Sequence, residues 1–394
     1  MSPDYSEVLV RYGEIGIKSK QTRKRMEDLL IRHIKAALLE AVVDFSKIRR
    51  EYGRIFIVTE MTQEASTITS KIFGVVSVSP VVVIDSNLDT ILETGLEMAR
   101  RSFVKSRSFA VGSRRVGTHD YSSQDIREKL GAEILRGLPE LELTVDLTSP
   151  AQSIYVEVRN QSAYLFTDTV EGVGGMPTGS QGKVVCTLSS GLDSPIAAFK
   201  VMKRGCIPVF VNFDNTPYAN DDCSATVTEQ AQLLADYIHN FEVKLYIVPH
   251  GEDLSEAEIH GPPKMTCIFC KRNMLRMARE IAIAEDADAI VTGEIIGEQA
   301  SQTTMNLRAI NTAVCDFPVL RPCVGDDKSD IEALAQKIGT YKFAEEGLSC
   351  CTLAPKYPVT RGKSDEVQKA EEDMNLDVLK KQVAQARIIT LRTG

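Results

Sequence analysis

The chain has 394 residues, 43% hydrophobic and 25% charged, a composition that excludes a largely disordered or collagen-like protein. At roughly 150 residues per domain it is long enough for two or three domains. The formal net charge of −8 (46 basic against 54 acidic side chains) argues against a uniformly nucleic-acid-binding surface, and no window of about 18 uncharged apolar residues suggests a membrane partner.

The N-terminus, MSPDYSEVLVRYGE, places Asp4, Glu7 and Arg11 where a signal peptide needs an apolar run, which predicts a cytoplasmic protein. Residues 6–12 (EVLVRYG after Ser6) read as a strand that breaks at Gly13. Met26, Leu29, Leu30, Ile34, Ala37, Leu38 and Leu39 recur at helical spacing over 20–41. A strand at 53–59, a helix at 64–73 and a strand at 75–84 complete a small α+β unit. The theme repeats with a helix at 87–101, a strand at 108–115, a helix at 122–137 and strands at 154–159 and 163–169. Residues 171–182 (EGVGGMPTGSQG) hold five Gly and one Pro and read as a linker. Although residues 1–175 are nearly neutral (23 basic, 24 acidic), they contain two basic stretches. Arg11 to Arg54 has 12 basic and 6 acidic groups, and Arg100 to Arg115 has 6 and none. Such a face can bind phosphates on an acidic molecule because salt limits charge effects to about 8–10 Å.

After the linker the pattern changes. A strand at 183–188, a helix at 194–204 and a strand at 207–213 are followed by a helix at 224–239, a strand at 243–249, a helix at 267–286 and a strand at 288–292. This alternation predicts a doubly wound parallel sheet, with ligands beyond the carboxyl ends of its strands. Between the first strand and helix lies Leu188-Ser189-Ser190-Gly191-Leu192-Asp193-Ser194-Pro195. Small residues there let backbone N–H groups approach an anion, the hydroxyls of Ser189 and Ser194 can donate, and the helix presents its positive end. Asp193 repels bare phosphate, so it needs a cation or a positioning role, and Mg²⁺ bridging a pyrophosphate is the natural candidate. The competing reading of this octapeptide is a Ser/Asp helix cap with no ligand.

That octapeptide resembles the SGGxDS loop of PP-loop ATP pyrophosphatases. The wider chain resembles the tRNA 4-thiouridine synthetase (ThiI) family through RYGEIGIKSK (11–20), SFAVGSRRVGTHDYSSQDI (108–126), GMPTGSQGKV (175–184), TGEIIGEQASQT (292–303), RPCVGDDKSDI (321–331) and CCTLAPKYPVT (350–360). The resemblance implies an N-terminal ferredoxin-like domain (1–75), a THUMP RNA-binding domain (76–170), the linker (171–182) and a PP-loop adenylating domain (183–394). It implies ATP-dependent adenylation of O4 of the uridine at position 8 of tRNA, followed by displacement of AMP by sulfur. Thr187, Leu188, Ser189, Ser190, Gly191, Ser194, Asn212, Phe213, Arg272, Gly293 and Gln302 are then expected around the nucleotide. Asp193, Lys328 and Cys351 are expected to carry the chemistry. Phe213 reads equally as a core residue, and the competing reading of Lys328 is a solvent-facing lysine at a helix start. Arg100, Arg101, Lys105, Arg107, Arg114 and Arg115 become candidate contacts to the tRNA acceptor arm, which is read by shape and backbone. Ser190 replaces the loop's second Gly; if that position needs φ > 0, the cost is about 1 kcal/mol or more.

Cys267-Ile268-Phe269-Cys270 at a helix start, followed by Lys271 and Arg272, puts both sulfurs on one side, with thiolates favoured by the helix end and the neighbouring cations. Family members without a rhodanese domain, for which this chain has no room, bind an iron–sulfur cluster. The resemblance assigns Cys267, Cys270 and Cys351 (or Cys350) as three ligands of a [4Fe-4S] cluster whose open iron could hold sulfide. A disulfide or persulfide relay through Cys351, and inert thiols, are the alternatives. The sulfur donor, sulfide or a cysteine desulfurase persulfide, is undetermined, and a homodimer is left open. Cys186, Cys206, Cys223, Cys315 and Cys323 read as small core residues, and His119 as making a local hydrogen bond. Two other functions stand beside tRNA thiolation: an RNA-binding protein with a decayed nucleotide site, and sulfur transfer for thiamine biosynthesis.

Overall fold

The computed structural model describes residues 4–51, 53–219, 223–344 and 351–393. They divide into two compact units, 1–175 and 176–394.

The first unit contains β1 (Glu7–Tyr12), α1 (Lys20–Glu40), β2 (Lys47–Glu51), β3 (Arg54–Val58), α2 (Thr62–Ser70), β4 (Val75–Asp85), α3 (Leu88–Ser102), β5 (Ser108–Val116), α4 (Ser123–Gly137), β6 (Thr144–Val145), β7 (Gln152–Arg159), β8 (Ser162–Phe166) and β9 (Val170–Glu171). Its sheet runs β2-β3-β1-β4-β8-β7-β5-β6, with β9 also on β4. The first half is thus β-α-β-β-α-β. The extra strand β2, KIRRE, escaped the sequence reading because it is a charged edge strand with no buried residue to set an alternation. The 11-residue β4 serves both halves: residues from Val75 to Val81 pair with β1, and Val82 to Asp85 pair with β8. The division drawn at residue 75 therefore falls at the first residue of a shared strand.

Local signals start the helices where expected. The Ser19 hydroxyl accepts from the Thr22 N–H at α1, and Ser122 and Asp125 form a reciprocal capping box at α4. Leu30, Ile34 and Leu38 of α1 are fully buried. In the second half Ile126, Leu130 and Ile134 of α4 pack with Ile91, Met98, Ile154, Val156 and Val158.

The second unit contains β10 (Lys183–Leu188), α5 (Asp193–Lys203), β11 (Ile207–Asp214), α6 (Cys223–Ala235), β12 (Val243–Pro249), α7 (Gly251–His260), α8 (Thr266–Ala284), β13 (Ala289–Val291), α9 (Thr304–Asn311), β14 (Val319–Leu320), α10 (Lys328–Ile338), α11 (Tyr341–Ala344), α12 (Ser364–Glu371), α13 (Asp377–Ala384) and β15 (Arg387–Leu391). The sheet order is β14-β13-β10-β11-β12-β15. All pairings are parallel except β12 with β15. The segment from Ser364 forms two helices and an antiparallel strand that covers the edge of β12. Because β11 and β13 flank β10 on opposite sides, the winding reverses at β10, which places a crevice at its carboxyl end.

Candidate active site

A cavity of about 480 Å³ opens at that switch point. Its lining includes Thr187, Leu188, Ser189, Ser190, Gly191, Asp193 and Ser194 from β10 and the loop after it. Asn212 and Phe213 contribute from the end of β11, and Gly293 and Gln302 from the segment after β13. Every residue expected around the nucleotide is in this wall except Arg272.

The loop is built by its hydroxyls. The Ser189 N–H donates to Ser194 Oγ at 2.9 Å, and the two serine hydroxyls lie 3.0 Å apart. The Gly191 N–H donates to Ser189 Oγ at 3.3 Å. Asn212 Nδ2 donates to the Leu188 carbonyl at 3.0 Å and fastens β11 to the start of the loop. Thr187 Oγ1 does the same toward β13 through the Val291 carbonyl, at 3.1 Å. No side chain caps α5, so the plain helix-cap reading of this segment fails: the serines organise the loop and leave the helix end to other partners. The orphan N–H groups of a first helical turn favour an anion.

Ser190 is not among the residues with positive φ, so the left-handed strain considered for a non-glycine there does not arise. Gly191 does not need positive φ either, and a Cβ on it would meet nothing closer than Ser189 Oγ at 3.4 Å. Protein packing does not demand that glycine, whereas a ligand approaching the backbone would. Gly293 differs: a Cβ there would stand 2.7 Å from Ser194 Cα, so its absence lets α5 start against the end of β13.

Lys328, at the first position of α10, reaches across to Asp193 at 2.8 Å and Glu298 at 2.5 Å. Burial pulls its ammonium down, but the two carboxylates outweigh burial and hold it above its ordinary value. Burial raises Asp193, against the pull of Lys328. Two carboxylates converging on one cation offer hard oxygen ligands of the type Mg²⁺ takes. Glu294 links two of the motif segments: it accepts from Thr292 and from Arg321 Nε at 3.1 Å, with Lys271 Nζ 3.7 Å away.

Arg272 lies outside that wall. It is 2% exposed and faces away from the cavity, forked onto Glu371 at 3.0 and 2.7 Å and donating to the Ala309 carbonyl and Thr312. Its neighbour Lys271 lines the wall in its place. Phe213 satisfies both readings, lining the cavity while packing in the core.

Cys267, Cys270 and Cys351 share the cavity wall; Cys350 lies outside the described residues. Burial pushes the Cys267 thiol up, Cys351 adds to this, and Lys271 opposes it. Cys270 is pushed up further by burial and Asp253. At both thiols desolvation outweighs the pull of Lys271. Three soft sulfur donors in one wall suit an iron–sulfur cluster by type, although no three His, Cys, Asp or Glu side chains among the described residues stand in a metal-holding group. Of the cysteines expected in the core, Cys186 and Cys323 are buried, Cys206 is half-buried and Cys315 is exposed; Cys223 borders the cavity.

In the first unit the six candidate RNA contacts form two groups rather than one face. Arg100 and Arg101 pair with Glu97, Arg101 also with Asp4, and Lys105 pairs with Glu142. With exposed Arg107, these precede β5. Arg114 and Arg115 stand near its far end, about 23 Å away at 3.3 Å per residue. His119 makes the expected local contacts, to Arg115 at 3.2 Å and to the Asn160 carbonyl at 2.5 Å. A cluster not anticipated surrounds Glu157, where Arg11, Arg54 and Arg159 share one buried carboxylate. Burial lowers Arg11 to about 10 even though Glu157 supports its charge.

Comparison with known proteins fits this geometry. Residues 179–376 match the family model of the thiamine biosynthesis protein ThiI, residues 7–79 the ThiI ferredoxin-like domain and residues 85–168 the THUMP domain. The chain belongs to the ThiI family. A probable tRNA sulfurtransferase of Methanobrevibacter smithii is 38% identical over 377 residues, covering 94% of this chain and 96% of that protein. Another from Acetivibrio thermocellus is 36% identical, covering 98% of each. A crystal structure of a 4-thiouridine synthetase–RNA complex with bound ATP superposes with a TM-score of 0.85 at 31% identity, covering 98% of this chain and 100% of that one. Among the described residues of this ThiI family member, no helix is long and apolar enough to cross a membrane.

Proposed function

We propose that this protein is an ATP-dependent tRNA sulfurtransferase that converts a uridine of tRNA to 4-thiouridine. The observation that carries the reading is the uncapped start of α5 beside a hydroxyl-built loop, opening into a cavity that also holds three cysteines. The similarity to the ATP- and RNA-bound synthetase supports the substrates.

In this reading Ser189, Ser190, Gly191 and Ser194 cradle the phosphates, while Leu188, Phe213 and Gly293 form the nucleotide's wall. Asp193 holds Mg²⁺, with Glu298 alongside. The uridine O4 attacks the α-phosphorus and pyrophosphate leaves. Lys328, beside both carboxylates, stabilises the charge developing on phosphate. A sulfur nucleophile then adds at C4 and AMP departs with O4: sulfide does this directly, whereas a persulfide's outer sulfur stays joined to its carrier cysteine until a second cysteine thiolate attacks that carrier sulfur, releasing the thiouridine and leaving a disulfide. Cys267, Cys270 and Cys351 would hold a [4Fe-4S] cluster, which supplies an open iron for sulfide. In the first unit the paired arginines before β5 can exchange weak surface carboxylate contacts for tRNA phosphates.

The test is mass spectrometry of tRNA nucleosides after anaerobic incubation with ATP, Mg²⁺ and sulfide, with AMP measured in parallel. Stoichiometric 4-thiouridine and AMP are expected. Bound tRNA with no AMP would leave a binding module with a decayed nucleotide site.

A further inference from the structure

His250, between β12 and α7, is completely buried, as is Asp253 one helical turn on. Its Nε2 lies 3.3 Å from Cys270 Sγ, and its Nδ1 lies 2.8 Å from Asp253 Oδ1. Asn273 Nδ2 donates to the other Asp253 oxygen at 3.1 Å. Arg276, bonded to Asn273 Oδ1 at 3.1 Å, extends the chain to Glu371. The backbone fixes the imidazole as well: the His250 N–H donates to the Asp214 carbonyl at 2.7 Å, and a Cβ on Gly251 would stand 2.0 Å from the Thr216 carbonyl oxygen. Three buried polar side chains in series are costly unless satisfied, and an apolar trio of the same volume would pack at least as well. Their common end point is a sulfur in the cavity wall.

We propose that His250 is a positioning residue for Cys270: with Asp253 in close contact at its other ring nitrogen, it hydrogen-bonds the sulfur from behind and aims it at the cavity shared with Cys267 and Cys351. This role rests on the reading of Cys270 as a cluster ligand for its consequence, but not for the contact itself. Partners behind a ligand fix its orientation, and losing one typically weakens metal binding about 10–100-fold.

Two measurements test it. In iron-free protein labelled with ¹⁵N-histidine, the His250 Nε2 resonance is expected to move in Cys270→Ala; an unmoved resonance overturns the proposal, and this arm needs no His250 variant to fold. In anaerobic titration with ferrous iron and sulfide, His250→Phe, checked as folded by circular dichroism, is expected to bind iron about 10–100-fold more weakly with an altered paramagnetic resonance signal. His250→Gln, which keeps a hydrogen-bonding group, is expected to recover part of the loss. Iron binding and spectra identical to the parent in His250→Phe would overturn it. If the parent protein itself takes up no iron, the cluster reading falls, and the nuclear resonance arm still decides the His250–Cys270 contact.

Discussion

Lys328 illustrates how a residue of low informational content becomes a candidate catalyst. Its local sequence, GDDKSDI, is a polar helix start, yet the side chain spans 135 positions to reach Asp193. Replacing it with Met should leave tRNA binding and folding intact while lowering the rate of AMP release by about 10²–10³, the size of effect seen when one preorganised transition-state contact is removed. Single-turnover kinetics with a separate tRNA-binding measurement would check the split. Ser190 makes the opposite point. Its backbone is not in the left-handed region, so Ser190→Gly restores no strained conformation. It should instead destabilise by about 0.5–1 kcal/mol through the looser unfolded chain and leave the KM for ATP nearly unchanged, as urea unfolding and steady-state assays would report.

At the scale of elements, α8 organises the second unit. One side carries Cys267, Cys270 and Lys271 into the cavity; the other carries Arg272 and Arg276 onto Glu371 of α12. Burial opposes the charge on Glu371, but Arg276 and Arg272 overcome it and lower its pKa from 4.5 to about 2. A carboxylate depressed in the folded state contributes stability above its unfolded value. That contribution is therefore full above about pH 4.5 and lost as pH falls toward 2. Glu371→Ala strands a buried guanidinium and should cost about 3–5 kcal/mol at neutral pH, with the parent's advantage over the variant shrinking through that acid window in denaturant titrations. The helix itself was legible from periodicity, within two residues at its C-terminal end. The direction of Arg272 was not, because adjacent residues on a helix point about 100° apart and only the neighbouring elements decide which of them meets the cavity.

For the whole molecule, the parallel sheet and the loop after β10 were readable because alternation and small-residue turns are local signals. The edge strand β2 was not, since a charged edge strand has no core face to leave its period in the sequence, and neither was the terminal strand β15, RIITL, which buries only Leu391 and so carries no alternation. ATP binding provides a test at this scale. At 100 times its Kd the nucleotide should stabilise residues 176–394 by about 2.7 kcal/mol. Hydrogen exchange should show this as slowed exchange at β10 and α5, and no change in β1 or β7 is expected.

The residues by themselves determined that α+β units would precede the 171–182 segment and a parallel sheet follow it, that a turn of small residues would follow β10, and that two cysteines would stand at the start of α8. These depend on contacts a few residues long. Only the tertiary structure decided that Lys328 meets Asp193, that Arg272 turns to Glu371 rather than to the cavity, and that His250 stands behind Cys270. Each of these pairs is separated along the chain by 20 to 135 positions, and their meeting is set by strand order and helix packing, which no local pattern encodes.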